Sequence, residues 1–107
     1  MIGKTVTVTV DRPLGSRHPK HPDIYYPINY GYIEGVLAPD GEEQDAYILG
    51  VAVPVERFTG TVIAIIHRKD DIEDKWVVVP DGLIFTKEYI AAQTHFQEQY
   101  FDTEVIL

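Results

Sequence analysis

The sequence predicts a mainly β (α+β) fold, a small five-stranded β-barrel with one C-terminal helix. Three observations favour it. Five segments are rich in branched or apolar residues and are separated by turn-forming residues, which is typical of strands. One segment, near the C-terminus, has apolar residues at helical spacing. The length of 107 residues suits one domain, and no repeat or linker divides residues 1–107.

The five predicted strands follow one another along the chain. The first, residues 4–10, alternates Thr and Val, and the second lies within residues 28–37. In the second strand, Gly31 allows a close approach of backbone or ligand. The acidic turn between the last two strands predicts that they form a hairpin. The last three predicted strands are Ala46–Val55, Gly60–His67 and Lys75–Val79.

Two further segments complete the predicted fold. Residues 11–27 contain four of the seven prolines together with two arginines, one lysine and two histidines. Since proline lacks an amide donor and disfavours helix, we predict an extended loop with a basic face there. Thr86 is a suitable N-cap for a helix over about residues 87–101. The predicted packing face of this helix consists of Tyr89, Ala92, Phe96 and Tyr100.

The composition argues against several classes of function. No apolar run is long enough to span a membrane and the N-terminus lacks a signal peptide's apolar core, so we expect a cytoplasmic protein. The absence of cysteine excludes disulfides and thiolate zinc sites. A net charge of −8 repels nucleic acid and anionic membranes, which we do not expect as partners. An anionic substrate would need metal ions to reverse the local charge.

Two acidic clusters, Asp40–Asp45 and Asp70–Asp74, lie beside strongly apolar strands. A single acidic turn is more often only a solvated turn. If the fold brings the two clusters together, carboxylates about 4 Å apart would repel by about 4 kcal/mol a pair at an effective dielectric near 20, which favours a bound cation. Carboxylates with water complete the shell that Mg²⁺ prefers, with Mn²⁺ as the alternative. The histidines show no spacing typical of a zinc site.

Several side chains outside the clusters can bind phosphate. Tyr30, beside Gly31, can donate to a phosphate oxygen, although packing is the alternative role of a strand tyrosine. Lys75, which follows the second cluster, either neutralises its acidic neighbours or contacts phosphate as a point charge. The proline-rich loop adds three candidate cations that would otherwise be solvated: Arg12, Arg17 and Lys20.

Four motifs together resemble the family I soluble inorganic pyrophosphatases. Residues Tyr26–Ile33 read YPINYGYI and residues Asp40–Asp45 read DGEEQD, where the family shows YPxNYGYI and, after the same interval, DGDPxD. The segment Asp70–Pro80 resembles the family's second acidic loop and the lysine-led strand that follows it. Residues His95–Tyr100, HFQEQY, resemble the family's C-terminal HFFExYK.

The resemblance implies an OB-like barrel, a homo-oligomer and Mg²⁺-dependent hydrolysis of inorganic pyrophosphate to two phosphates by a metal-activated water. It implies that Glu42 orients that water. Tyr30, Lys75 and Tyr100 match phosphate-contacting positions, and Tyr26 matches a tyrosine that lines the site. Asp11 matches an acid near the family's N-terminus. The implied metal ligands are Asp40, Asp45, Asp70 and Glu73.

The chain also departs from the family pattern. It is shorter, and the hairpin that supplies a lysine, an acid and an arginine before YPxNYGYI is replaced by the proline-rich loop. The family's lysine after the C-terminal tyrosine is Phe101 here. Losing a cation that contacts a buried phosphate costs about 2–5 kcal/mol, or about 30- to several-thousand-fold in rate. Two alternatives therefore stay open: a non-catalytic protein that binds metal, phosphate or a partner, and a hydrolase of another phosphoanhydride.

Overall fold

The computed structural model describes residues 2–71 and 73–107; Met1 and Ile72, the latter inside the second acidic cluster, lie outside the described residues. The described chain forms strands and one helix in an order that leaves the helix near the C-terminus. The elements are β1 (Thr5–Arg12), β2 (Asn29–Leu37), β3 (Glu43–Ile48), β4 (Arg57–Arg68), β5 (Asp74–Val79), α1 (Lys87–Glu98) and β6 (Thr103–Ile106).

Five of the strands close into a barrel. Their order is β1-β2-β3-β5-β4, and the first half of β4 pairs back onto β1 from Arg57↔Thr9 to Thr61↔Thr5. The second half of β4 extends beyond β1 and pairs with β6 instead. The prediction of a mainly β, five-stranded barrel with one C-terminal helix is therefore confirmed.

The parallel pairing of β3 and β5 brings the two acidic clusters to one edge of the barrel. Ala46 pairs with Trp76, so that Asp45 and Lys75 each lie one residue earlier on neighbouring strands. Each cluster ends within the first residues of its strand, and parallel strands begin at the same edge of a sheet. The antiparallel pairing of β4 with β5 confirms the predicted hairpin and carries the second cluster at its turn.

Gly31 allows β2 to lie close against β1. A Cβ atom at this position would collide with the backbone carbonyl of Thr9, and no positive φ is involved. The close approach expected from the sequence is thus confirmed as an approach of backbone to backbone. The neighbouring Tyr30 has its side chain buried inside the barrel.

The helix begins as predicted, but its packing face differs. Thr86 is the N-cap, and its Oγ1 accepts a hydrogen bond from the Tyr89 amide at 3.1 Å. The helix ends at Glu98 rather than near residue 101, and Tyr89 and Tyr100 are exposed. Of the predicted face, Phe96 does pack against the barrel, edge-on to Tyr26 and Tyr47, whereas Ala92 is exposed. The rest of the packed face is largely polar because Gln97 and Glu98 bond to polar groups of the barrel. Its buried residues are Ile90, Thr94, Gln97 and Glu98.

Two strand predictions are also corrected. The third strand runs over Glu43–Ile48 rather than Ala46–Val55, since Gly50, at φ +83°, turns the chain out of the sheet. The short strand β6, which covers one end of β4, was not predicted because four residues give too little alternation to recognise. Among the described residues, no helix has the length and apolar content needed to cross a membrane.

Candidate functional site

Two cavities adjoin at Lys75, on the barrel edge where β3 and β5 begin. The smaller, of about 250 Å³, is bordered by both acidic clusters. The larger, of about 490 Å³, lies between the barrel, the end of α1 and the proline-rich loop. Six carboxylates line the smaller cavity: Asp40, Glu42, Glu43, Asp45, Glu73 and Asp74. The larger cavity is lined by His18, His21, Tyr30, Arg68, Gln97 and Tyr100, among others.

Lys75 is the charged centre of this arrangement. Its Nζ donates to Asp45 Oδ2 at 2.7 Å and to Glu73 Oε2 at 2.9 Å. The Tyr30 hydroxyl donates to the same Asp45 oxygen at 2.9 Å. Lys75 is almost fully buried, with 3% of its surface exposed, so its charge is directed at these partners rather than at solvent.

The surroundings fix the protonation of Lys75 and Tyr30. Burial alone would lower the pKa of Lys75, but its interactions with Tyr30, Asp45 and Glu73 outweigh burial and raise that pKa above its ordinary value. Burial raises the pKa of Tyr30, which remains a neutral phenol. At neutral pH the site therefore contains an ammonium ion and a hydroxyl donor side by side.

A second buried cation, Arg68, lies on the wall of the larger cavity. Its Nε and Nη2 bond to the two carboxylate oxygens of Glu98 at 3.0 and 2.8 Å. Its Nη1 lies 3.5 Å from Glu73 Oε2. The Phe101 ring packs on the guanidinium, with 3.7 Å from Cζ to the ring centroid. Glu73 thus lies between two cations, and Arg68 joins the helix to the edge that carries the acidic clusters.

A buried hydrogen-bond network supports Arg68 from beneath. The Tyr47 hydroxyl bonds to Glu98 Oε2 at 2.5 Å and accepts from Gln97 Nε2 at 2.8 Å. Gln97 Oε1 in turn accepts from the Tyr26 hydroxyl at 2.8 Å. Tyr26, expected from the resemblance to line the site, is buried and acts here by holding the helix residue that does line it.

The proline-rich loop presents its histidines to the larger cavity. Arg17 Nη1 bonds to the Pro22 carbonyl and its guanidinium packs over Tyr25. Arg12 pairs with Asp11 at 3.6 Å. Neither Arg12, Arg17 nor Lys20 is among the residues that line either cavity, whereas His18 and His21 line the larger one. The substrate-binding role of the three basic side chains stays a prediction.

The predicted metal ligands are only partly brought together. Asp40, Asp45 and Glu73 line the smaller cavity, but Asp70 lies in the exposed β4–β5 turn, where it accepts a weak bond from the Asp102 amide at 3.3 Å. Across residues 2–71 and 73–107, no three metal-binding side chains converge on one point. Lys75 lies between Asp45 and Glu73 instead. The donor set is nevertheless that of Mg²⁺, namely carboxylate oxygens in an acidic cavity open to water.

Sequence reasoning missed two components of the site, Arg68 and Glu98. The sign of Arg68 in the sequence was its place just after the apolar run Val62–Ile66; in the structure, every second residue of β4 from Gly60 to Ile66 is buried, and Arg68 continues that series. An arginine at an inward-facing position of an apolar strand indicates a buried acidic partner. Nothing in the local sequence indicated that the partner was Glu98, which is 30 residues away.

Comparison of the structure with solved structures shows the fold of the bacterial inorganic pyrophosphatases. The inorganic pyrophosphatase of Ehrlichia chaffeensis matches with a TM-score of 0.71 and 18% identity, over 97% of this chain and 85% of that chain. That of Neisseria gonorrhoeae matches with 0.69 and 20% identity, over 92% and 74%. That of Thermus thermophilus matches with 0.65 and 18% identity, over 96% and 80%. The family resemblance found in the motifs is confirmed at the level of the fold.

Comparison of the sequence itself gives no match. It matches no protein-family model, and it matches no curated protein. Identities of 18–20% show a common fold and leave the chemistry to be argued from the side chains described above.

Proposed function

We propose that this protein is a cytoplasmic, Mg²⁺-dependent hydrolase that converts inorganic pyrophosphate to two phosphates. One observation carries the proposal: a carboxylate-lined cavity and a cavity lined by cations and hydroxyl donors adjoin at a single buried lysine. Hydrolysis of a metal-bound phosphoanhydride needs both kinds of surface side by side, because the metal ions and the protein donors contact oxygens of the same phosphoryl groups. That the solved structures with this fold are inorganic pyrophosphatases supports the choice of substrate.

The smaller cavity supplies the metal-binding side of this proposal. Asp40, Asp45 and Glu73 would hold the ions, and Mn²⁺ could replace Mg²⁺. The Asp40 side chain is already ordered, because its Oδ1 accepts from the Glu42 amide at 3.0 Å. When bound, the ions lower the pKa of a coordinated water and neutralise phosphate charge. Glu42 lines the same cavity, where its carboxylate can orient that water or take its proton.

The larger cavity supplies the phosphate-binding side. Lys75 would contact a phosphate oxygen when Asp45 and Glu73, its present partners, hold the metal ions. Tyr30, whose hydroxyl bonds to Asp45 in this structure, would donate to the phosphate from the buried wall, and the exposed Tyr100 also lines the cavity. Arg68 adds a second fixed positive charge, held in place by Glu98. Both phosphoryl groups would thus meet buried donors, of which Lys75 and Tyr30 exchange a bond to Asp45 for a bond to the phosphate.

A second candidate function is binding of pyrophosphate or phosphate without hydrolysis. One observation favours it: Lys75 lies between Asp45 and Glu73, the position in which a metal ion would be needed, and no triad of ligands is formed within the described residues. If the free energy needed to displace Lys75 from the carboxylates exceeds the free energy of metal binding, no metal ion would bind there. The anion would still bind, but no metal-activated water would form.

Parallel measurements separate the two candidates. Calorimetric titration with pyrophosphate in the presence of Mg²⁺ reports binding, and a colorimetric phosphate assay on the same samples reports turnover. The proposal predicts binding together with phosphate release, and removal of Mg²⁺ with a chelator abolishes release. Binding without release selects the second candidate. A panel of nucleoside triphosphates beside pyrophosphate tests the remaining alternative, hydrolysis of another phosphoanhydride. The predicted homo-oligomer is tested on the same material by light scattering.

A further inference from the structure

His18 has one ring nitrogen whose protonation state follows from its partners. Nδ1 lies 3.1 Å from the Lys20 amide nitrogen and 3.2 Å from the His21 amide nitrogen. Backbone amides only donate, so Nδ1 must accept from both and carries no proton. The neutral imidazole therefore has its proton on Nε2. Burial, together with the positive charges of His21, Arg12 and Lys20, lowers the pKa of His18 against the opposing effect of Asp23, which keeps the ring neutral.

The ring is held by a loop that is itself tied down. The His18 amide donates to the Ile24 carbonyl at 3.0 Å, and the Tyr26 amide donates to the Ser16 carbonyl at 2.9 Å. These bonds cross the proline-rich loop and make it a narrow, hairpin-like projection from β2. Since Nδ1 faces the loop's own backbone, the opposite edge of the ring, which carries Nε2, is the edge left for the cavity that His18 lines.

Among residues 2–71 and 73–107, the structure shows no acceptor for the Nε2 proton. Within the described residues, no hydrogen bond involves His18 Nε2. Arg68 and Lys75 lie on the other walls of the same cavity, and Asp23 is the only carboxylate among its described lining residues. The cavity thus combines two fixed cations with an unpaired neutral donor in a protein whose net charge is −8. An oxyanion is the ligand that all three groups attract, in addition to the carboxylates that already bond to Arg68 and Lys75.

We infer that His18, through its neutral Nε2–H, is a phosphate-binding residue of the larger cavity, and that Nδ1 positions it by fixing the loop. This inference rests on the proposed function and specifies its substrate contacts. It assigns to a histidine the role that the sequence suggested for Arg12, Arg17 or Lys20. The loop contributes a directional hydrogen bond to the anion, while the fixed charge comes from the barrel.

The substitution His18→Asn separates the two roles of His18, namely fixing the loop through Nδ1 and binding phosphate through Nε2. The asparagine Oδ1 occupies the position of Nδ1 and can accept from the same two amides, but asparagine has no group at the position of Nε2. For His18→Asn we expect pyrophosphate to bind about tenfold or more weakly, as for loss of a hydrogen bond to a charged acceptor. The Lys20 and His21 amides should keep their wild-type protection from hydrogen exchange. His95→Asn, the same change at an exposed helix position outside both cavities, is the control and should bind as the wild type does.

The experiment is a calorimetric titration of the full chain with inorganic pyrophosphate in the absence of divalent metal, together with nitrogen NMR of the histidine rings. Unchanged affinity in His18→Asn, a wild-type protein with a protonated Nδ1, or a wild-type protein that binds no pyrophosphate would each overturn the inference. A phosphate-release assay with Mg²⁺ distinguishes failure of this inference from failure of the proposed hydrolysis. Weaker binding in His18→Asn with no turnover in the wild type refutes hydrolysis alone. Turnover with unchanged binding in His18→Asn refutes this inference alone.

Discussion

Arg68 on β4 and Glu98 on α1 form a two-point ion pair in which both side chains are only 5% exposed. The pair fixes the end of the helix against the barrel, directly behind the larger cavity. Tyr47 and Gln97 satisfy the remaining polar groups, so the network is complete on the helix side. The position of the cavity wall therefore depends on one buried contact between elements that are distant in sequence.

We expect Glu98→Gln to lower the free energy of unfolding by about 3–5 kcal/mol, since it leaves the buried Arg68 guanidinium without its counter-charge. Urea unfolding at neutral pH measures this loss. The control is Glu34→Gln, which breaks a pair with Arg57 of similar geometry, 2.9 Å at both contacts, on the exposed surface. The surface variant should lose much less stability. Equal losses in the two variants would contradict a structural role specific to the buried pair.

Lys75→Gln tests whether the lysine and a metal ion compete for the same carboxylates. Removing the ammonium leaves Asp45 and Glu73 without their main partner, so Mg²⁺ should bind at least about tenfold more tightly to this variant while pyrophosphate binds more weakly. The midpoint of thermal unfolding during a Mg²⁺ titration reports the metal affinity. Lys69→Gln, which removes an exposed lysine from the β4–β5 turn, provides the control. A weaker response to Mg²⁺ in Lys75→Gln than in the wild type would rule out competition.

The proline-rich loop should loosen in acid because of His18. Its pKa is lower in the folded protein than the ordinary value near 6.5, so the neutral ring stabilises the folded loop above that pH. This stabilisation is lost as the pH falls below about 6.5 and through the lowered pKa, where protonation of Nδ1 breaks the bonds from Lys20 and His21. Over that pH range, hydrogen exchange at those two amides should become faster than the pH dependence of an unprotected amide alone would give. In His18→Asn the additional acceleration should be absent, and its persistence would assign the effect to another group.

Gly31→Ala should destabilise the barrel by about 3 kcal/mol, at the upper end of the usual range for overpacking, because the added methyl group meets the Thr9 carbonyl. Thermal unfolding measures the effect. Gly35→Ala serves for comparison: it has open space around the added Cβ and only the strain of φ +76°. A smaller loss at Gly31 than at Gly35 would show that β1 and β2 can separate without cost.

Features set by local sequence were predictable, and features set by distant contacts were not. The N-cap at Thr86, the β4–β5 hairpin and the close approach at Gly31 follow from a few neighbouring residues, and all three are present. The association of Asp45 with Lys75 depends on the parallel pairing of two strands that are separated in the chain by β4. The motif resemblance placed both residues in one site, although spacing alone would not have done so.

The polar face of α1 shows where sequence reasoning fails. From the sequence alone, Gln97 and Glu98 are expected to be exposed to solvent. In the structure they bond to three buried polar groups of the barrel, those of Tyr26, Tyr47 and Arg68. Aromatic spacing selected Phe96, which packs against the barrel, but also Tyr89 and Tyr100, which are exposed. A buried polar interface has no hydropathy pattern of its own, and only the partner explains its burial.

The most direct test of the central claim is the rate of phosphate release from Mg²⁺-pyrophosphate by the wild type, Asp45→Asn and Asp81→Asn. Asp45 contacts both Lys75 and Tyr30, whereas Asp81 bonds to Thr61 at 3.0 Å and lines neither cavity. If the adjoining cavities form a metal-dependent phosphoanhydride site, the wild type and Asp81→Asn release phosphate at equal rates, and Asp45→Asn, though folded, releases none. A wild type that releases no phosphate, or an Asp45→Asn variant as active as the wild type, would contradict the account.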